Sequence, residues 1–217
     1  PSNPTGTTIP FDELARICGQ ARARGAWRIV DEIYLSLADP DVEGRAARTA
    51  LETDPEAMIV SSFSKYFGMT GWRLGYAMTP PDVASLMCLL SSSRTYGVCT
   101  LAQKGAAYAL NTQDAKVEER RAVFGERLRA TEARLNAMKG VRCRPAEGAF
   151  YLFPDVSGTG LSSEEFALRA LREAGVGVLP GNAFGESGEG HIRIACTQAM
   201  DSLMRAMDAL ERFTDAL

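Results

Sequence analysis

The sequence predicts an α/β protein that gives way, near residue 140, to a smaller α+β domain. Three observations carry this reading. Two short apolar runs, Ala26-Trp27-Arg28-Ile29-Val30 and Met58-Ile59-Val60, have the length and branched residues of buried strands, and each opens into polar residues. Helical periodicity flanks these runs on both sides. Beyond Gly140 the long helical periods stop, and short strand-like runs alternate with short helices.

Taken in order, the chain opens on Pro1-Ser2-Asn3-Pro4-Thr5-Gly6, where proline fixes one dihedral and glycine frees another. Read alone, this is a surface turn. Pro10 opens a helix with Leu14, Ile17, Cys18 and Ala21 as its apolar stripe and Gly25 as its end. Residues 26–30 then read as a strand of a parallel sheet, running into Asp31-Glu32-Ile33-Tyr34. A carboxylate at the carboxyl end of such a strand lies where open α/β sheets hold ligands. Asp31 fits a helix N-cap equally well. Residues 35–57 are polar and broken by Pro40, Gly44 and Pro55, and read as a loop with a short helix.

Residues 73–78 read as a strand stopped by Thr79-Pro80-Pro81, with a helix over 82–92 and a turn at Arg94-Thr95-Tyr96-Gly97. An alanine-rich helix, expected to be buried, covers 99–111. A long amphipathic helix follows over 113–138, its stripe made of Val117, Phe124, Leu128, Leu135 and Met138. Gly140 ends it. A strand is expected over 148–153, and Ser162-Ser163-Glu164-Glu165 is an N-terminal capping signal for a helix to 174. The glycines of 176–181 lack the spacing of a dinucleotide fingerprint. Residues 191–195 read as the last strand, and a helix over 200–213 closes the chain with Leu203, Met207 and Leu210 facing inward. His191, the only histidine, has no partner in the sequence pattern for a triad or metal set and reads as structural.

Bulk properties narrow the function classes. A chain of 217 residues with net charge -3 buries a real core and carries no dominant basic stripe, which argues against nucleic acid as a partner. The five cysteines, Cys18, Cys88, Cys99, Cys143 and Cys196, show no paired spacing. They read as reduced core thiols of a cytoplasmic protein. No run is long enough to span a bilayer and no signal peptide is visible, so no membrane role is expected.

The chemistry concentrates after Met58-Ile59-Val60, in Ser61-Ser62-Phe63-Ser64-Lys65-Tyr66-Phe67-Gly68-Met69-Thr70-Gly71-Trp72-Arg73-Leu74-Gly75-Tyr76. A lysine at the lip of a buried strand meets low dielectric, which disfavours its charged form and makes its amine a nucleophile toward carbonyls. The hydroxyls before it and the arginine after it suit a phosphate. An amine beside a phosphate cup is what a pyridoxal phosphate Schiff base requires.

Ser-Phe-Ser-Lys followed by Met-Thr-Gly-Trp-Arg-Leu-Gly-Tyr resembles the cofactor-lysine motif of the class I/II aminotransferases, the fold-type I pyridoxal-phosphate enzymes. The resemblance extends in order through Asn3, Asp31, Tyr34, Ser62, Lys65, Arg73 and Arg193. It implies the C-terminal portion of a longer enzyme. Residues 1–139 would be the C-terminal share of a three-layer large domain with a mainly parallel sheet, plus a bridging helix. Residues 140–217 would be the small domain. It also implies roles. Lys65 binds pyridoxal 5'-phosphate and moves the substrate proton, Asp31 pairs with the ring nitrogen, and Tyr34 and Asn3 bond the phenolic oxygen. Ser62, Arg73 and Ser64 take the phosphate, and Arg193 grips the substrate α-carboxylate. An arginine inside an apolar strand is in any case costly unless paired. Phe150 would line the side-chain pocket, with core packing an equal reading, and Tyr96 would approach a second subunit of a homodimer. The expected reaction moves an amino group between an L-amino acid and a 2-keto acid. The same residues would also suit a β-eliminating lyase or decarboxylase, or an aminotransferase-like effector domain of a transcription regulator. Without the glycine-rich phosphate loop and ring-stacking residue of the family's other half, these residues alone are expected to bind the cofactor weakly and to be inactive.

Overall fold

The computed structural model describes residues 1–40 and 44–217, and part of the loop expected over 35–57 lies outside the described residues. The chain forms two compact units, one of Ile9–Arg121 and one of Pro1–Thr8 with Ala122–Leu217.

The unit Ile9–Arg121 holds α1 (Phe11–Ala23), β1 (Ile29–Asp31), β2 (Met58–Ser62), β3 (Gly75–Met78), α2 (Pro81–Arg94), α3 (Thr100–Thr112) and the start of α4 (Asp114–Ala137). Its sheet runs β1-β2-β3. β1 is parallel to β2, with Asp31 opposite Val60. β3 is antiparallel to β2, with Ser62 opposite Gly75. The sheet expected to be mainly parallel is therefore evenly mixed here, because the turn after β2 sends the chain straight back. Both outer strands start later than the apolar runs suggest. Trp27 is 70% exposed, outside the sheet. Arg73 takes a left-handed backbone (φ 52), which breaks the pleat before Gly75.

The core of this unit is small: Ala50, Ala57 and Ile59, with Leu14, Val30 and Leu51 against them. Beside it, the buried Asp54 carboxylate takes Arg28 Nε at 2.7 Å and Arg28 Nη2 at 3.0 Å. Glu32 is also buried and accepts from Ala50 N at 2.8 Å and Thr49 Oγ1 at 3.0 Å, so its role is to fold the loop. α3 buries only its alanine face of Ala102, Ala106 and Ala109, and leaves Leu101, Tyr108 and Leu110 exposed. This corrects the expected buried helix: methyl side chains fill the one covered face, and the larger residues point away from it.

The other unit has a true core. Leu128 and Leu135 of α4, with Met138 just after it, pack with Leu152, Val156, Phe166, Ile192, Ile194, Leu203, Met207 and Leu210. Its sheet is antiparallel, β4 (Tyr151–Leu152), β6 (Ile192–Ala195) and β5 (Leu179–Pro180) in that order. α5 (Ser163–Arg169) starts on Ser162, whose hydroxyl accepts from Glu165 N at 3.2 Å, as the capping signal predicts. α6 (Met200–Asp215) buries Leu203, Met207 and Leu210. The strand expected over 148–153 shortens to Tyr151–Leu152, because Ala149 (φ 58) and Gly148 (φ 147) leave the extended region.

Pro1–Thr8 joins this unit through its turn. Gly6 N donates to Ser2 O and Glu147 N donates to Gly6 O, both at 2.9 Å, and Thr8 N reaches the Glu147 carboxylate at 2.6 Å. Gly6 sits at φ 70, and a Cβ there would meet Ala146 Cβ at 2.7 Å and Tyr151 O at 2.8 Å. Only glycine fits. Three cysteines, Cys18, Cys143 and Cys196, are buried, while Cys88 and Cys99 are exposed, contrary to the expectation that all five are core residues. Among the described residues, no helix is long and apolar enough to cross a membrane.

Candidate active site

The pairing of β1 with β2 brings their carboxyl ends side by side. Asp31 is the last residue of β1 and Ser62 the last of β2. Tyr34 follows the first strand and Lys65 the second. Tyr34 is buried, Lys65 is half-buried, and Lys65 Nζ lies 5.9 Å from the centroid of the Tyr34 ring. Asp31 is exposed and folds its own turn, one carboxylate oxygen accepting from Ile33 N at 2.9 Å. That is an Asx turn, not the N-cap of a long helix. The other oxygen has no hydrogen bond among the described residues.

Donors collect around the lysine. Ser62 Oγ accepts from Ser64 N at 3.1 Å, which leaves the Ser62 hydroxyl proton free to donate. Ser64 is half-buried beside it. Gly75 lies opposite Ser62 in the sheet, and a Cβ there would come within 3.0 Å of Ser61 O and 3.3 Å of Ser62 Cβ. A side chain at 75 would crowd Ser61 O and the Ser62 side chain at its Cβ. Arg73 is exposed, and one guanidinium nitrogen donates to Thr70 O at 3.0 Å. A left-handed non-glycine residue costs on the order of 1–2 kcal/mol and is typical of positions where a side chain is being aimed.

A second group forms in the other unit. Arg193 on β6 lies against two rings, its guanidinium carbon 4.7 Å from the Tyr151 centroid and 5.0 Å from that of Phe184. Nη1 donates to Asn3 Oδ1 at 2.7 Å. Nε is buried with no partner, and Nη2 has none among the described residues. A guanidinium held near two rings, with Nε and Nη2 not hydrogen-bonded among the described residues, has donors in reserve for a carboxylate. With its oxygen taken, the Asn3 side chain offers its amide N–H groups. Phe150 is buried against Phe124 (5.1 Å) and Tyr151 (4.5 Å), and Tyr151 is a ring against Arg193. His191 stacks on Phe153 at 5.0 Å and bonds Glu189 O through Nδ1 at 3.1 Å.

Sequence reasoning missed Tyr151 and Phe184. Tyr151 lies in the expected strand over 148–153, next to Phe150. Phe184 sits in a turn after β5, where no periodicity distinguishes it.

A profile of the family described as aminotransferase class I and II matches residues 1–210. The chain belongs to that family. It is 35% identical over 215 residues to the aspartate aminotransferase of Pyrococcus horikoshii, covering 98% of this chain and 54% of that protein. It is 35% identical to the aromatic-amino-acid aminotransferase 2 of Thermococcus litoralis, covering 98% of this chain and 55% of the relative. Among solved structures, the aromatic aminotransferase of Pyrococcus horikoshii superimposes with a TM-score of 0.92 at 34% identity, over 100% of this chain and 58% of that one. The chain thus spans about half the length of these aminotransferases. The aminotransferase family depends on pyridoxal phosphate. The residues present fit that group. A serine hydroxyl ends one strand, a lysine amine and an arginine follow it, and a carboxylate ends its parallel neighbour.

Proposed function

We propose that the whole protein is an aminotransferase that moves an amino group between an L-amino acid and a 2-keto acid, with pyridoxal phosphate as cofactor. The observation that carries this reading is Lys65 beside the Tyr34 ring at the carboxyl end of the parallel pair β1–β2. When bound, the cofactor supplies an electron sink for the charge that develops at the amino-acid α-carbon. Ser62 and Arg73, with Ser64, hold the phosphate. Asp31 would hold the ring nitrogen, where a carboxylate would favour the protonated ring. Tyr34 would hydrogen-bond the phenolic oxygen, and the family resemblance gives the amide N–H of Asn3 a role toward the same cofactor. Lys65 Nζ would be the amine that holds the cofactor, and it would serve as the base for the proton at the substrate α-carbon. Arg193 orients the substrate through its α-carboxylate, and Phe150 acts from behind Tyr151.

The large and small domains of the whole enzyme are proposed to divide near residue 140. In this chain the compact units group differently, because Pro1–Thr8 is bonded to the segment around Glu147 and Gly6. A homodimer is supported by the apolar side chains left exposed on and after α2, including Leu86, Leu89, Leu90 and Tyr96, the last 92% exposed. A place in cytoplasmic amino-acid metabolism is supported by the exposed free thiols Cys88 and Cys99, which persist in reducing compartments.

The test is amine transfer from a panel of amino acids, aspartate and aromatic residues included, to a 2-keto acid. Lys65→Ala is expected to reduce the rate to background. Retained transfer in that variant ends the assignment.

A further inference from the structure

The turn that carries Lys65 has an anchor outside the motif. The four consecutive carbonyls of residues 63–66 each accept a hydrogen bond. Three donors are local: Met69 N to Phe63 O at 3.1 Å, Thr70 Oγ1 to Ser64 O at 2.9 Å, and Gly68 N to Lys65 O at 3.1 Å. The fourth is Arg120 Nη1, from α4 and 54 positions along the chain, which donates to Tyr66 O at 3.0 Å in a partly buried contact. The same guanidinium lies along Gly68, which takes the left-handed backbone (φ 67). A Cβ there would stand 3.7–3.9 Å from Arg120 Cζ, Nη1 and Nη2. The Tyr66 side chain is itself buried, 4.5 Å from the Phe67 ring.

We propose that Arg120 is a positioning residue for Lys65. This inference rests on the role for Lys65 proposed above. Arg120 touches neither cofactor nor substrate in this reading. It acts by fixing the peptide that follows the lysine. On the amino side, Lys65 is held by bonds its own motif makes. On the carboxyl side, the Tyr66 carbonyl has no local donor, and the guanidinium supplies one. Without it, that carbonyl would turn to find water. The 65–66 backbone would then rotate, and the direction in which the lysine side chain leaves the turn would no longer be single. Arg121, the next residue, does something different: it bonds Glu118 at 2.7 Å and lies 3.7 Å from Asp39. It is therefore a control for loss of a guanidinium from the same helix.

The experiment compares Arg120→Met, Arg120→Lys, Arg121→Met and Lys65→Ala in the whole protein. Cofactor-free protein is mixed with pyridoxal phosphate, and attachment to Lys65 is followed over time by borohydride reduction and peptide mass spectrometry. The visible absorbance of the bound cofactor is then titrated with pH. Arg120→Met is expected to slow attachment about tenfold or more, the scale set by losing a charged donor to a partly buried carbonyl, and to displace the pH midpoint. Arg120→Lys, with a shorter reach and one donor group, is expected to recover part of the rate. Arg121→Met is expected to match the parent protein. Parent-like attachment and pH midpoint in Arg120→Met overturn the proposal. Should that variant not fold, parent-like values in Arg120→Lys overturn it instead. Attachment that survives in Lys65→Ala would sink the lysine assignment itself, which separates the two failures.

Discussion

Gly6→Ala puts the first turn of the chain under a defined load. The added methyl would stand 2.7 Å from Ala146 Cβ and 2.8 Å from Tyr151 O, on a backbone at φ 70. The left-handed conformation costs an L-residue about 1–2 kcal/mol. Overpacking of a filled site costs about 1–3 kcal/mol more. A load of about 2–5 kcal/mol falls on a turn bonded to its surroundings by Glu147 N to Gly6 O and by Thr8 to the Glu147 carboxylate. Detaching the turn relieves it at less cost than unfolding the unit. Detachment would take Asn3 from Arg193, removing the 2.7 Å bond that sets the guanidinium plane. The expected phenotype is a rise of about tenfold or more in KM for the amino acid, with faster amide exchange at Glu147. Gly19→Ala is the matched control, since Gly19 lies inside α1 with nothing within 4 Å of the new methyl. It should gain about 0.5–1 kcal/mol of stability and leave KM unchanged. Equal behaviour of the two variants, by kinetics and by hydrogen exchange, would refute the steric argument.

Three further outcomes are expected. The hydrogen bond from Arg28 holds the buried Asp54 carboxyl below its ordinary value. A depressed folded value means that its contribution to stability is full above the unfolded value of about 3.9 and fades as pH falls below it. Denaturant titrations of parent and Asp54→Asn should therefore differ at neutral pH and converge in acid, and a constant gap would count against the pair. Phe184→Leu removes one of the rings against Arg193. A cation–π contact of about 0.5–2 kcal/mol predicts a KM increase of about twofold to thirtyfold with kcat nearly constant, and Phe184→Trp should restore KM. Burial pushes the Cys143 thiol up to about 12 and Cys196 to about 11. Both should resist iodoacetamide near pH 8 and react on unfolding, as read by mass spectrometry.

Much of the fold was legible because it is written locally. Helix periods placed α1, α4 and α6 to within a few residues, and the Ser162 cap marked the start of α5. Strand ends were less legible. Apolar composition marks burial, whereas a strand stops where the backbone leaves the extended region, as at Arg73 and Ala149. The antiparallel return of β3 was hidden too, since an apolar run carries no direction.

By itself the sequence determined which side chains share a strand or a turn: Asp31 with Tyr34, Ser62 with Lys65 and Arg73. Tertiary structure alone decided what meets across long gaps. It placed Asn3 and Arg193 together, brought Tyr151 and Phe184 against that guanidinium, and set Arg120 against the lysine turn. Turn and strand chemistry acts over a few bonds, so its pattern is printed in consecutive residues. A ring stacked on a guanidinium, or a donor found by an orphan carbonyl, is fixed by packing and hydrogen-bond demand after the chain has folded, and neither leaves a periodic trace.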